Sequence, residues 1–207
     1  TIYITNLRAA KATDTYYLTG GDARRYEPYF TFHGFQYVEI TGLDYTPTVD
    51  DVQGIVAYSD LPEVSTFRCS EPLVNKLMLN TVWGQMGNFL DVPTDCPQRD
   101  ERLGWMGDAQ LYVRTASYNA DVAAFFTKWL DDVEEAQRDF GAYPDYCPYP
   151  MGHGVPGQTW GTAWTDAGII CPWTIWQVYG DTRLIEAERI GQRLHLAPVR
   201  QSTEVFE

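Results

Sequence analysis

The sequence is short of positive charge, of histidine and of closely spaced cysteine. Fifteen lysines and arginines stand against 28 aspartates and glutamates, for a formal net charge of −13. Such a surface repels a phosphate backbone, which argues against a nucleic-acid partner. The four cysteines, Cys69, Cys96, Cys147 and Cys171, lie far apart without CxxC spacing. That pattern supports neither a zinc site nor a disulfide framework, and the thiols are expected to be reduced and mostly buried. No apolar run reaches the roughly 18–20 residues of a membrane helix, so no membrane partner is expected; TIYITNLRAAKATDTYYLTG also lacks the apolar core of a signal peptide. Gly20-Gly21 and Gly152-His153-Gly154 match no phosphate-cradling loop, and no EF-hand loop occurs. Neither a cofactor nor a metal is expected. Repeats and low-complexity tracts are missing as well.

What is present is apolar and aromatic. Hydrophobic residues make up 44% and aromatic residues 14% of 207, enough for a packed core. The chain opens on Thr1 inside a β-prone run, and is expected to be cut from a longer one. Residues 1–65 alternate with a period of two, most clearly in YEPYFTFHGFQYVEITG, with Gly34 a bulge or bend. The pattern predicts a partial antiparallel β-sandwich. His33, in this region, and His153 are expected to be structural or solvated.

From residue 66 onward the period becomes helical. Ser70 is expected to cap a helix with Pro72 near its first position and Leu73, Leu77 and Val82 along one side. A second helix is expected from an Asp108 cap, and a third from Asn119 or Asp121 with Phe125, Phe126, Trp129 and Val133 on one face. The glycine- and proline-rich GAYPDYCPYPMGHGVPGQTWG reads as an ordered binding loop. Two more helical segments follow, one capped by Thr165, kinked by Pro172 and closed by Gly180, the other capped by Asp181.

Between the first two helices lies DCPQRDERLGWMGD, residues Asp95–Asp108, flanked on both sides by apolar sequence. A charge run is usually a solvated turn, but one set between core segments is expected to lie in a cleft. Hydrolysis of a glycosidic bond needs two carboxyl groups, one to protonate the departing oxygen and one to activate water or attack the sugar. Asp95, Asp100, Glu101 and Asp108 are candidates, crowded enough for one to be held protonated, with Arg99 and Arg102 expected to keep the others ionised. Sugar rings pack their apolar faces on aromatic ones, and Trp105, Trp160, Trp164, Tyr143 and Tyr146 are available. Asp145 and Asp166 are further possible ligand contacts, Asp166 being equally suited to the first turn of its helix.

VPTDCPQRDERLGWMGDAQ, Val92–Gln110, resembles the signature segment of the α-L-rhamnosidases of glycoside hydrolase family 78. The likeness continues upstream through FRCSEPLVNKLMLNTVWGQMGNFLDVP and YEPYFTFHGFQYVEITG and downstream through TAWTDAGIICPWTIWQVYGDTRLIE, nearly residues 14 to 186. It implies a partial β-sandwich over 1–65, then the first helices of an (α/α)6 catalytic barrel over 66–207, and release of terminal α-linked L-rhamnose with inversion. Rhamnose-containing glycosides or oligosaccharides are the implied substrates. Glu101 aligns with the family's general acid. Asp95, Arg99, Trp105 and Asp108 align with its sugar-binding positions, and Trp164, or its neighbour Trp160, with a further tryptophan near the sugar. The family's general base, a second glutamate, belongs to a later segment and is expected outside this chain. Two alternatives are a non-catalytic carbohydrate-binding fragment and another (α/α)6 barrel glycosidase.

Overall fold

The computed structural model describes residues 2–21, 25–138, 141–150 and 161–185. Helix α1 spans Pro72–Asn88. A proline at the first helical position forces the residue before it out of the helical region. Glu71 is accordingly extended (φ −92°, ψ 113°) and, rather than Ser70, is the N-cap, its Oε1 accepting from Leu73 N at 3.0 Å. After α1 the chain folds back on itself in a short antiparallel ribbon, β1 (Phe89–Leu90) with β2 (Val92–Pro93), turning on Asp91 at φ 68°. Aspartate is one of the few side chains that visit that region readily.

Helix α2 spans Met106–Asn119 and starts from Trp105. Asp108, expected to be its cap, stands instead within the first turn, where its negative charge suits the helix N-terminus. Helix α3 spans Ala123–Glu135 and is capped by Val122. Val122 has no side-chain acceptor to offer, so Asp121, one residue earlier, accepts from Ala123 N at 3.2 Å. The short α4 (Thr162–Thr165) and the longer α5 (Ala167–Tyr179) follow. Thr165 therefore closes α4 instead of capping the longer helix; Asp166 takes the cap position of α5 without a side-chain bond, and Gly180 ends α5 in the left-handed region at φ 74°. Pro172 lies inside α5 and is buried. Asp181 Oδ1 accepts from Arg183 N at 3.0 Å, as a cap of the next helical turn does, and the adjoining guanidinium holds its carboxyl at about 2.

The core is made where α2 and α3 each pack against α5. Met106, Ala109, Val113 and Ala116 contribute from α2, Ala167, Cys171 and Ile175 from α5. From α3 come Phe125, Phe126, Trp129, Leu130 and Val133, which include the whole face expected from the sequence. Phe89 stacks on Phe125 with centroids 4.6 Å apart, and Trp129 donates its indole N–H to Cys147 O at 3.0 Å. All four cysteines are free, and Cys96, Cys147 and Cys171 are buried.

A buried polar cluster joins α1 to α2. Gln85 Oε1 accepts from Asn119 Nδ2 at 2.8 Å and from the Tyr112 hydroxyl at 3.3 Å, while Gln85 Nε2 reaches Ala116 O at 3.4 Å. Removing one partner of a buried amide leaves the other unsatisfied, at about 1–3 kcal/mol. Gln85→Leu should lower the free energy of unfolding by that amount in urea titration. Gln85→Leu with Asn119→Leu should cost less than the sum of the two single changes, because the second removes the group that the first orphans.

Among the described residues of the first 65, no strand ladder forms, and the partial β-sandwich is not seen there; two short 3-10 turns, Thr5–Leu7 and Val49–Asp51, are its regular elements. Alternation decides which side chains share a face, but a strand also needs a partner for its backbone, and Tyr3, Tyr17, Tyr29, Phe30 and Phe35 remain exposed. The Leu73 and Leu77 stripe of α1 is exposed too, with Leu79 and Trp83, and the buried residue of that helix is the polar Gln85.

Candidate active site

The charged segment folds as an irregular loop between β2 and α2, pinned at both ends. At its start Thr94 N donates to Asn88 O at 3.0 Å. At its end Gly104 O accepts from Cys147 N at 2.9 Å, and Met106 N donates to Asp145 O at 2.9 Å, stitching the loop to the 141–150 segment. A Cβ at Gly104 would lie 2.0 Å from Cys147 O, so only glycine permits this approach.

Within the loop, Asp95, Arg99 and Glu101 converge. Arg99 Nε lies 2.7 Å from Glu101 Oε2, and its Nη2 lies 3.5 Å from Asp95 Oδ2. The Asp95 side chain is 7% exposed. Its Oδ1 is buried without a hydrogen-bond partner among the described residues, and so is the indole Nε1 of Trp105. Buried polar atoms are rarely left unpaired, so this loop keeps one acceptor and one donor free for a ligand that can both donate and accept. The Trp105 ring lies 4.9 Å from that of Tyr146, and their backbones form an isolated antiparallel bridge.

Asp108 is exposed at the start of α2, and its carboxyl is pushed up by desolvation and by the charge of Asp95, with Glu101 adding to the effect. Crowding of the acids thus acts on Asp108 as expected. Burial, then the neighbouring Asp95, raises the Cys96 thiol. Ligand atoms of Asp95, Cys96 and Glu101 lie within 4.8 Å of one another, a spacing that a cation could share, but Arg99 already places its positive charge between the two acids.

Trp164 comes from α4 and is partly exposed, its indole packed over Gly107 and Gly161. Trp160 and His153 lie outside the described residues. Tyr143 is not available as a platform: it is buried in the core against Gly168. Asp145 is structural, its Oδ1 accepting from Gly161 N at 3.1 Å, and desolvation pushes its carboxyl up. Asp100 is exposed.

Arg102 does not pair with the acids. Its Nη1 donates to Phe32 O at 2.9 Å and Pro97 O at 3.2 Å, and its guanidinium sits 4.6 Å over the Phe32 ring. The second guanidinium on Glu101 belongs instead to Arg8, 2.7 Å away. No local sequence signal marks Arg8, because its role depends on a contact between distant segments. His33 Nε2 lies 3.0 Å from Asp14 Oδ2.

Residues 62–189 match the family model described as the bacterial α-L-rhamnosidase 6 hairpin glycosidase domain, and residues 1–58 match the bacterial α-L-rhamnosidase concanavalin-like domain. An α-L-rhamnosidase of Streptomyces avermitilis is 48% identical over 187 residues, covering 89% of this chain and 18% of the relative. One of Formosa agariphila is 43% identical over 188 residues, covering 90% and 20%. The chain thus spans about a fifth of the length of these relatives. Among solved structures, the Streptomyces avermitilis α-L-rhamnosidase complexed with L-rhamnose superposes with a TM-score of 0.90 at 43% identity, over 97% of this chain and 19% of that one. The α-L-rhamnosidase from Dictyoglumus thermophilum gives 0.78 at 41% identity, over 85% and 19%.

Proposed function

The chain belongs to the bacterial α-L-rhamnosidase family, and on that footing we propose that it forms half of the sugar site of an enzyme that hydrolyses terminal α-linked L-rhamnose with inversion. Glu101 donates the proton to the departing glycosidic oxygen. Both guanidinium contacts fall on Oε2, so the donated proton is carried on Oε1. Asp95, Arg99 and Asp108 hold the sugar hydroxyls, while Trp105 and Trp164 face the apolar side of the ring. The observation that carries this reading is that the loop bearing Glu101 also holds a buried Asp95 Oδ1 and a buried Trp105 Nε1 that have no hydrogen-bond partner among the described residues. Sugar hydroxyls can donate to the first and accept from the second.

The base that activates water is a glutamate from a later segment, about 6.5–9.5 Å from the acid, as inverting geometry requires. Rhamnose-containing glycosides or oligosaccharides are the substrates. The anomer formed first tests the mechanism. Proton NMR of an α-rhamnoside digest by an enzyme of the relatives' full length carrying this segment should show β-L-rhamnose before mutarotation; α-L-rhamnose appearing first would rule inversion out. That the chain spans a fifth of its relatives favours a second reading for the segment alone. By itself it binds rhamnose without turnover, which calorimetry with L-rhamnose beside an aryl-rhamnoside assay distinguishes.

A further inference from the structure

Arg8 lies in the N-terminal region that matches the concanavalin-like domain, yet its Nη1 is 2.7 Å from Glu101 Oε2. We infer that Arg8 is a positioning residue for the proton donor, supplied to the catalytic loop from outside the helical domain. The inference rests on Glu101 being the general acid.

Three observations support it. First, Oε2 of Glu101 is shared by Arg8 and Arg99, each at 2.7 Å, so the carboxyl group is held from two sides. A carboxylate with a single ion-pair partner can swing about it, whereas two cations against one oxygen from different segments narrow the directions the other oxygen can take. Second, the loop that carries Glu101 has no helix or strand to stiffen it between β2 and α2. Its outer side is braced by the same N-terminal region: Arg102 is bound to Phe32 O at 2.9 Å and stacked on that ring, and Gly34 sits so close to Pro97 and Gln98 that a Cβ there would lie 3.0 Å from both. The braces fall before and after Glu101 in sequence, and Arg8 grips the residue between them. Third, the Arg8 side chain is 55% exposed and that of Glu101 27%. An ion pair this open adds little to stability, so its removal should leave the fold intact and any loss of activity can be read as loss of position. Arg8 also adopts a positive φ of 56°, uncommon for a residue with a long side chain, and its guanidinium reaches the loop from that backbone.

Proton donation demands hydrogen-bond reach and alignment, and a displacement of about 1 Å can cost on the order of 10²-fold in rate. The loss falls on substrates whose leaving group needs the proton. A dinitrophenolate departs unaided; an alkoxide or sugar oxygen does not. Arg8→Met, made in an enzyme of the relatives' full length that carries this segment, is therefore compared on an alkyl rhamnoside and on dinitrophenyl rhamnoside. The expected result is a fall in kcat of about 10- to 100-fold on the alkyl substrate, with KM nearly unchanged and the dinitrophenyl substrate within about 3-fold of the parent enzyme. Arg8→Lys, which keeps the charge and loses the fork, should lie between.

Equal losses on both substrates, or no loss on either, would overturn the role of Arg8. Glu101→Gln run in parallel separates the two levels. If it shows the leaving-group dependence and Arg8→Met does not, Arg8 alone is misassigned. If Glu101→Gln shows none, the assignment of the acid itself falls. A thermal melt accompanies each variant, and should Arg8→Met unfold, the ratio is read on Arg8→Lys, where a parental ratio overturns the inference.

Discussion

Glu101→Gln should lower kcat on natural rhamnosides by about 10²- to 10⁴-fold, the range that a positioned general acid contributes. Binding of L-rhamnose, followed by calorimetry, should change little. Glutamine keeps the volume of glutamate, and its carbonyl oxygen can take the place of Glu101 Oε2, 2.7 Å from Arg99 Nε. What it cannot do is release a proton to the leaving oxygen. Equal falls in kcat and kcat/KM mark the loss of an interaction made only in the transition state. Hydrolysis at the parental rate would remove Glu101 from the mechanism and turn attention to Asp108, whose carboxyl is pushed up by desolvation and by Asp95. Asp95→Asn gives the contrasting profile, because Asp95 is buried with an unpaired Oδ1 and, in the proposed function, holds a sugar hydroxyl. There the weakening appears in KM as well as in kcat.

The second large effect is expected at Gly104. A methyl group there would sit 2.0 Å from Cys147 O and 3.0 Å from the Trp129 indole nitrogen. Neither neighbour can give way cheaply. Cys147 O is the acceptor for that indole at 3.0 Å, and Cys147 N is bonded to Gly104 O at 2.9 Å. Relief of the clash breaks one or both bonds. Overpacking costs about 1–3 kcal/mol, and leaving a buried indole N–H unpaired costs about the same again. Gly104→Ala should thus remove about 2–6 kcal/mol, a large share of the roughly 5–15 kcal/mol that keeps an ordinary domain folded. Denaturant unfolding measures it. Gly84→Ala is the control: Gly84 lies inside α1 with nothing within 4 Å of its added Cβ, so alanine should stabilise by up to about 1 kcal/mol. If Gly104→Ala unfolds at the same denaturant concentration as the parent chain, the close approach of loop and core is wrong.

The longer helices were legible in the sequence with starts up to three residues off, and the short α4 was not, because apolar spacing and punctuation are local signals that need several turns to show. Gly180 closes α5 as its position suggests, and the aromatic face of α3 is buried as its spacing suggests. Caps were the weaker reading. Ser70, Asp108 and Thr165 are all good capping residues, yet Glu71, Trp105 and Asp166 hold those positions. Proline chemistry displaced the first and the short α4 displaced the last. The convergence of Asp95, Arg99 and Glu101 follows from close spacing along one loop, and so was readable. The partners of Arg102 and Glu101 outside that loop were not, since nothing local links residues 8 and 32 to residues 101 and 102. The same limit applies to the first 65 residues: alternation marks a face, but the neighbour that turns an extended segment into a sheet is a matter of tertiary pairing.

Asp145 holds two threads at once. Its backbone oxygen receives Met106 N, next to Trp105, and its carboxylate receives Gly161 N, on which the Trp164 indole rests. The two indoles, though they come from different elements, are therefore hung from one residue, and the gap between them is a dimension set by its peptide and side chain together. Asp145 acts as a gauge block: a longer or shorter side chain there would shift the segment beneath Trp164 relative to Trp105.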